Sequence, residues 1–157
     1  MIQDILPHRY DVSYHPERTP ERRSFLLLVS REGVLFAERD GAFTLPRFSD
    51  FETEALPFKS LCQKARYLFQ IDRDYFFLLP PSALPAGKLG EGYRFLGPTE
   101  LRDLKPQHLA FAAITSTQLY RFYDQRKFCG RCGEKMTHAE EERAMCCKHC
   151  GLIEYPK

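Results

Sequence analysis

Four cysteines near the C-terminal end constrain the fold of this chain more than any other feature. Cys129, Cys132, Cys147 and Cys150 form the pattern C-x2-C-x14-C-x2-C. Two thiolates separated by two residues reach one ion from a tight turn, and two such turns complete a tetrahedron. The 14-residue gap leaves room for a hairpin between the turns. The pattern predicts a zinc ribbon whose Zn2+ is structural, because four thiolates leave no open coordination position.

Other residues compete for the ligand positions. Cys146 is a rival to Cys147, but its use would give C-x3-C in the second pair, so we expect it on the opposite face of a short strand. His138 and His149 are possible ligands that a complete set of thiolates makes unnecessary. Cys62 stands alone and is interpreted as a packed thiol. A redox or disulfide pair is the remaining alternative to a metal.

Glycines accompany both cysteine pairs. Gly130, Gly133 and Gly151 lie where a tight turn needs a positive φ or a close approach of backbone. Their positions support the interpretation of the pairs as metal-binding turns.

Composition narrows the class of protein. The chain has 157 residues, of which 43% are hydrophobic and 28% charged, with 13 Phe and 8 Tyr available for a core. The formal charge is +2, and four thiolates with one Zn2+ would lower it to zero, so no strongly basic surface is expected. The longest apolar run, residues 24–30, is far shorter than a membrane span. With Asp4 and no apolar segment at the start, we expect a cytoplasmic protein with reduced thiols.

The apolar pattern predicts an α+β fold, a small antiparallel β-sheet with a long C-terminal helix. Turn residues separate expected strands at 24–30, 34–38, 42–45, 66–71, 75–79 and 93–97, with a short strand near 10–14. Residues 46–60 are expected to be a loop and 81–92 a linker. Apolar residues at three- and four-residue steps predict a helix over 106–124, and Thr99 lies at the start of a shorter one.

The zinc-ribbon segment and its flanks carry a family resemblance. "RFYDQRKFCGRCGEKM" and "ERAMCCKHCGLIEYP" resemble the zinc ribbon of the NADH pyrophosphatases. These are Nudix hydrolases that split NAD(H) into nicotinamide mononucleotide and AMP. "FTLP" and the hairpin, linker and "YRFLG" that follow resemble the family's N-terminal domain. The resemblance implies an N-terminal domain over residues 1–125 and a zinc ribbon over 126–157 that leads into a Nudix domain.

The chain departs from this family in one large respect. The Nudix box is a Gly, then a Glu, then Arg-Glu-x-x-Glu-Glu-x-Gly, whose glutamates hold Mg2+ or Mn2+. The acid-rich run here, residues 139–147, has no Arg-Glu start and no following Gly. We therefore expect no catalytic residues in this chain and no activity from it alone, with Mg2+ or Mn2+ bound only in the missing Nudix domain. We expect it to be the front part of a longer enzyme, and a naturally short paralogue is the alternative.

The resemblance also implies substrate-binding residues. Tyr155 matches a position where a ring could stack on a base or nicotinamide, and the alternative is a packed strand residue. Glu142 matches a family acid that could accept a hydrogen bond from a ribose or amide, and the alternative is a solvated glutamate. Arg47 and Arg94 match family basic residues near substrate, and the alternative for both is an ion-paired surface arginine.

The sequence and the family resemblance also predict binding partners. We expect a homodimer, because an aromatic-rich sheet with exposed edges favours pairing with a second copy. NAD(H) would bind to the whole enzyme, RNA is a further candidate, and no membrane is involved. The rival hypothesis is a zinc-ribbon nucleic-acid-binding module in which Phe128 stacks a base. The charges available to it are Lys127, Arg131, Lys135, Arg143 and Lys148, interspersed with Glu134, Glu140, Glu141 and Glu142.

Overall fold

The structure is a computed structural model and describes residues 1–84 and 89–157 of the chain. Its contacts divide into two compact units, Met1–Thr117 and Gln118–Lys157. The division falls inside a helix, and the boundary at residue 125 inferred from the family resemblance stays a prediction. Among the described residues, no helix is both long and apolar enough to cross a bilayer.

Seven strands form the sheet of the N-terminal unit. They are β1 (Tyr10–Asp11), β2 (Phe25–Ser30), β3 (Gly33–Arg39), β4 (Ala42–Thr44), β5 (Arg66–Ile71), β6 (Asp74–Leu79) and β7 (Tyr93–Leu96). The helices of the chain are α1 (Phe48–Phe51), α2 (Phe58–Lys64), α3 (Pro98–Arg102) and α4 (Gln107–Gln125). Three further strands belong to the C-terminal unit: β8 (Thr137–His138), β9 (Met145–Cys146) and β10 (Ile153–Glu154). The mixed α+β class with a long helix before the cysteines is confirmed.

Tight turns join the consecutive strands, as their sequences predict. The turn between β3 and β4 uses Asp40 and Gly41 at φ of 52° and 77°, and the turn between β5 and β6 begins with Asp72 at 54°. Positive φ at turn positions matches the right-handed twist of the flanking strands. Asp and Gly are the residues that adopt this conformation at low cost.

The sheet is antiparallel except at its centre. Its order is β1-β5-β6-β2-β3-β4, and β7 pairs with β3. Strands β2 and β6 run parallel, with Phe25 opposite Phe76 and Leu28 opposite Leu79, so the expectation of a wholly antiparallel sheet is corrected at this pair. The paired segments, residues 25–28 and 76–79, are continuous apolar runs and buried throughout. Such runs, without alternation, are typical of strands covered on both faces.

Aromatic side chains fill much of the space on the sheet. The Phe76 ring stacks between those of Phe25 and Phe69, at centroid distances of 4.9 and 5.1 Å. A second cluster holds Phe48 of α1, Leu61 of α2 and Phe77 of β6. Because these two short helices bury large side chains there, the prediction of a loop over residues 46–60 is wrong for 48–51 and 58–60, while 52–57 are irregular as expected.

The N-terminal half of α4 belongs to the same unit as the sheet. Ala110, Ala112 and Ala113 are fully buried, and the Phe111 ring lies edge-on to Tyr10 of β1 at 4.8 Å. Three- and four-residue spacing thus located the helix within one residue at either end. In the predicted linker, Pro81–Ala83 form one turn of 3-10 helix, and residues 85–88 lie outside the described residues.

Gly33 opens β3 at a point where only a glycine fits. Its φ is 136°, and a Cβ built there would lie 2.0 Å from the carbonyl oxygen of Leu96 on β7. Gly41 also has positive φ, 77°, but a Cβ there would meet nothing within 4 Å. A side chain at Gly33 would therefore suffer both a steric clash and backbone strain, whereas one at Gly41 would suffer only the strain.

We expect Gly33→Ala to destabilise the N-terminal unit by roughly 3 kcal/mol or more, as strain and overpacking together. Gly41→Ala should cost about 1 kcal/mol, since only the strain applies. Denaturant unfolding followed by far-UV circular dichroism measures both. Equal midpoints for the two variants would contradict the close approach of β3 to β7.

Candidate metal centre

Two backbone turns of the same design present the four cysteines. In the first, the Gly133 N–H donates to the Cys129 carbonyl at 2.9 Å, and the Cys129 N–H donates to the Glu134 carbonyl at 2.7 Å. The second turn repeats this eighteen positions later: Gly151 donates to Cys147 at 2.9 Å, and Cys147 donates to Leu152 at 2.8 Å. Each turn therefore closes around its first cysteine and aims two thiols at one point.

The glycine that follows each pair has the conformation these turns require. Gly133 and Gly151 both have φ of 81°, in the left-handed region that glycine enters most easily. Gly130 does not have a positive φ, and a Cβ there would contact nothing within 4 Å. The prediction for Gly133 and Gly151 is confirmed, and the one for Gly130 is wrong, because neither its φ nor the space around it requires a glycine.

The four sulfur atoms converge on one point. The Sγ atoms of Cys129 and Cys150 are 3.5 Å apart, as are those of Cys132 and Cys147, and all four lie within 4.8 Å of one another. A tetrahedron with Zn–S bonds of about 2.3 Å has sulfur–sulfur edges of about 3.8 Å. The four thiols therefore fit a closed, structural Zn2+ site.

The pKa values of three of the four thiols are shifted from that of an ordinary cysteine. The Cys132 backbone N–H, followed by that of Arg131, lowers the pKa of Cys129 to about 6. The Cys150 N–H in the same way lowers the pKa of Cys147. The Glu134 N–H favours the thiolate of Cys132, yet desolvation and the neighbouring sulfurs outweigh it and raise that pKa to about 12. Four thiolates this close repel one another, and a dication removes that obstacle.

A small apolar cluster packs around two of the four cysteines. Phe122, Met136 and Met145 are buried together with Cys129 and Cys147. Strands β8, β9 and β10 form a three-stranded antiparallel sheet in the order β10-β9-β8. The hairpin expected in the gap between the cysteine pairs is therefore present.

The rival ligands lie outside the sulfur cluster. Cys146 is in β9, and its Sγ lies 3.5 Å from the Thr137 hydroxyl on β8. The His138 ring is tilted against that of Tyr123 at a centroid distance of 5.0 Å, and His149 is exposed. Cys62 is in α2 of the other unit, where desolvation raises its thiol pKa. Within residues 1–84 and 89–157, the four predicted cysteines are the one set of His, Cys or acidic side chains close enough to share an ion.

Two of the four predicted substrate residues meet in the C-terminal unit. The Tyr155 hydroxyl donates a hydrogen bond of 2.9 Å to Oε1 of Glu142, and this bond raises the pKa of the tyrosine. Tyr155 follows β10, and 53% of the residue is exposed to solvent. Glu142 is also exposed, five residues before Cys147.

The two arginines lie in the N-terminal unit, and both make contacts inside it. Arg47 precedes α1, its guanidinium lies 4.0 Å from the Phe25 ring centroid, and it is 3.8 Å from the Asp74 carboxylate. Arg94, on β7, lies 3.7 Å from the Glu100 carboxylate and over the Phe43 ring. Among the described residues, no side chain that contacts Arg47 in these pairs also contacts Arg94.

A cleft next to Tyr155 was not predicted from the sequence. It has a volume of about 220 Å3 and is lined by Gln118, Arg121, Phe122, Gln125, Arg126, Tyr155 and Lys157. We call this group the basic cleft. Its residues come from the end of α4 and from the segment after β10, some thirty positions apart. That separation leaves no local motif by which sequence reasoning could have found it.

The class of protein follows from the fold and the site: a mixed α+β unit followed by a zinc ribbon with four cysteine ligands. Residues 124–155 match the family model for the NADH pyrophosphatase zinc ribbon domain. This agrees with the resemblance carried by the cysteine pairs and their flanks.

Curated relatives extend the match. A protein from Deinococcus radiodurans named "NAD-capped RNA hydrolase NudC" is 35% identical over 79 residues, which are 50% of this chain and 28% of that protein. Proteins of the same name from Pseudomonas fluorescens and Klebsiella pneumoniae are 40% and 48% identical over 27% and 26% of the chain. Those two matches cover 15% and 16% of the relatives. Residues 124–155, after the α+β unit, are thus similar to an NADH pyrophosphatase zinc ribbon, and the chain spans less than a third of each of these relatives.

We expect about one zinc per chain and expect Cys132→Ser to weaken zinc binding more than about 100-fold. Loss of groups that merely support a ligand already costs 10- to 100-fold. Cys132 is the ligand to change because Cys146, next to Cys147, could replace that neighbour. The matched control is Cys146→Ser, which should keep one zinc. Mass spectrometry under non-denaturing conditions and competition with a chromophoric chelator measure both, and zinc loss from Cys146→Ser would contradict the ligand assignment.

Proposed function

We propose that this chain is the N-terminal and zinc-ribbon portion of an NAD(H) pyrophosphatase, whose Nudix domain hydrolyses NAD(H) to nicotinamide mononucleotide and AMP. The match of residues 124–155 to the family's zinc ribbon carries the proposal. The names of the relatives add NAD-capped RNA as a candidate substrate. Hydrolysis would take place in the Nudix domain with Mg2+ or Mn2+, because this chain contains no Nudix box. In this chain Zn2+ holds the ribbon together and takes no part in the reaction.

The ribbon's role in this proposal is to supply part of the substrate pocket. Tyr155 offers an accessible aromatic face to the nicotinamide or adenine ring. Glu142 accepts the hydrogen bond of the Tyr155 hydroxyl and has lone pairs left for a ribose hydroxyl or an amide. The carboxylate thus orients the ring and can bind substrate next to it.

Arg47 and Arg94 have a secondary role in the same proposal. Arg94 is exposed and Arg47 is half-buried, and their ion pairs, at 3.7 and 3.8 Å, are long. Exposed pairs of this kind contribute roughly 0–1 kcal/mol, so a substrate phosphate could replace Asp74 or Glu100 as the partner. The reduced thiols of the ribbon suit the cytoplasm, which we propose as its location.

A homodimer is the proposed assembly. In the N-terminal sheet, β1 and β4 lie at the ends of the strand order, and Leu6 and Val12 are large exposed apolar residues near β1. Unpaired strand edges and exposed apolar side chains favour association with a second copy.

We expect size-exclusion chromatography with light scattering to give twice the chain mass of 18.4 kDa at micromolar concentration. Val12→Lys should shift the protein toward the monomer, because a charge would have to be desolvated in the interface. Arg31→Gln, in an exposed turn, is the control and should leave the mass unchanged. A monomer at all concentrations would reject the dimer.

We expect nicotinamide mononucleotide and NADH to bind the zinc-loaded chain, and Tyr155→Ala to weaken binding about tenfold. Loss of an aromatic contact and of the hydrogen bond to Glu142 accounts for that magnitude. Tyr155→Phe keeps the ring and should retain most of the affinity, which separates stacking from hydrogen bonding. Titration followed by calorimetry measures each affinity, with zinc content as the check on folding. An unchanged affinity in Tyr155→Ala would reject the pocket role.

A nucleic-acid-binding module is the second candidate, favoured by Phe128. Its side chain is 65% exposed in the ribbon, and its backbone forms an isolated bridge with Lys135. Base stacking on an exposed ring beside a cation is a common way to bind single strands. If short RNA binds with strong salt dependence, Phe128→Ala weakens it and NADH does not bind, this second function replaces the first.

A further inference from the structure

We infer that the basic cleft binds a phosphate group of the nucleotide whose ring stacks on Tyr155. The inference deepens the proposed function and rests on it. Tyr155 lines the cleft as well as offering its ring to solvent, so a ligand on the ring has its next chemical group at the mouth of the cleft. The chemical groups in the cleft indicate what that next group is.

Cations and amides line the basic cleft. Arg121, Arg126 and Lys157 contribute three cationic side chains, and Gln118 and Gln125 add side-chain N–H donors. No acidic residue is among its described lining residues. Guanidinium groups bind phosphate oxygens through paired N–H donors, which makes phosphate the ligand that this lining fits best.

Internal ion pairing leaves most of this charge available. Arg126 is engaged by Glu154, with Nε 3.1 Å from the carboxylate, and both side chains are about one-third exposed. In the part of the chain that the structure describes, no ion pair joins Arg121 or Lys157 to an acid, and both residues are exposed. Arg121 and Lys157 are therefore the groups that a phosphate would meet first.

The helix end provides a competing explanation, which covers part of the lining. The C-terminus of α4 carries partial negative charge, and cations near it are stabilised by roughly 0.3–1 kcal/mol. That effect accounts for Arg126, which follows Gln125, and partly for Arg121. It does not account for Lys157, which approaches from the other segment, or for the cleft between them.

Size restricts what the basic cleft can hold. Sites that enclose a whole ligand measure roughly 300–1,000 Å3. A cleft of about 220 Å3 accommodates a phosphate and part of a sugar but not a complete dinucleotide. The base then remains outside, on the exposed ring of Tyr155, and the two contacts divide one nucleotide between them.

Pairs of ligands that differ by one phosphate test this inference directly. Nicotinamide riboside is compared with nicotinamide mononucleotide, and adenosine with AMP, by calorimetric or NMR titration. In the unaltered chain we expect the phosphate to raise affinity about tenfold, the gain typical of a charge-assisted hydrogen bond. Arg121→Gln and Lys157→Gln should each remove most of that gain and leave the affinity for the nucleosides unchanged. Arg31→Gln matches the loss of charge in an exposed turn of the other unit and should keep the gain.

Two sources of the phosphate are distinguished with a short RNA. AMP and an oligoadenylate of five residues are titrated at two salt concentrations. If Arg121→Gln weakens both ligands by the same factor, the phosphate is that of the stacked nucleotide itself. If it weakens the RNA more and lowers the salt slope by about 0.7 per lost contact, the phosphate belongs to the RNA chain. Both results support the phosphate site.

Equal effects of Arg121→Gln and Arg31→Gln would overturn the inference, because net charge alone would then explain them. If every variant keeps the affinity gained from the phosphate, the inference is overturned as well.

Tyr155→Ala separates the inference from the proposed function. If it leaves nucleoside binding intact while Arg121→Gln still removes the phosphate gain, the stacking role fails and the phosphate site stands. If Tyr155→Ala weakens nucleoside binding while Arg121→Gln keeps the phosphate gain, the phosphate site is rejected and the stacking role stands. Circular dichroism and one zinc per chain establish that each variant is folded.

Discussion

Mutual repulsion among four thiolates is the constraint on which the C-terminal unit depends. The unit has 40 residues, and chains this short seldom bury enough apolar surface to fold without a metal, a disulfide or a partner. The buried members of its apolar cluster are Phe122, two methionines and two of the ligand cysteines. A Zn2+ ion converts repulsion between sulfurs within 4.8 Å of one another into the strongest attraction in the unit. The binding energy of the metal is then the folding energy of the ribbon.

The N-terminal unit is stabilised in a different way. Its central parallel pair, β2 and β6, buries Leu26, Leu27 and Phe77 almost completely. Full burial of one such side chain contributes roughly 1.5–3 kcal/mol relative to exposure, so the hydrophobic effect suffices without a metal. Buried polar groups add no cost here, since no described buried side-chain nitrogen or oxygen lacks a hydrogen-bond partner. The isolated Cys62, whose pKa is raised by burial, is a packing residue in this setting.

Local signals in the sequence predicted the parts of the molecule that local chemistry determines. The cysteine spacing identified the metal ligands, and Asp-Gly and Asp-Arg turns identified the hairpins to within two residues. Helix α4 followed from its periodicity. The parallel pairing of β2 with β6 could not be read in this way, because it joins segments about fifty residues apart. The helices α1 and α2 escaped prediction for a related reason: they are four and seven residues long, and it is burial of Phe48 and Leu61 against the sheet that stabilises them.

The same contrast explains the candidate site. Tyr155 and Glu142 lie five residues outside the second cysteine pair, one on either side, and each was a family match without evidence of contact. Strand β10 pairs with β9, with Glu154 opposite Met145. This pairing brings the two residues together, and the Tyr155 hydroxyl lies 2.9 Å from Oε1 of Glu142. Cys147 directly follows β9 and Cys150 lies three residues before β10, so closure of the metal site holds the adjoining ends of both strands. A metal site that is closed to chemistry can therefore still determine where the two proposed substrate residues lie, because it holds the ends of the strands next to them.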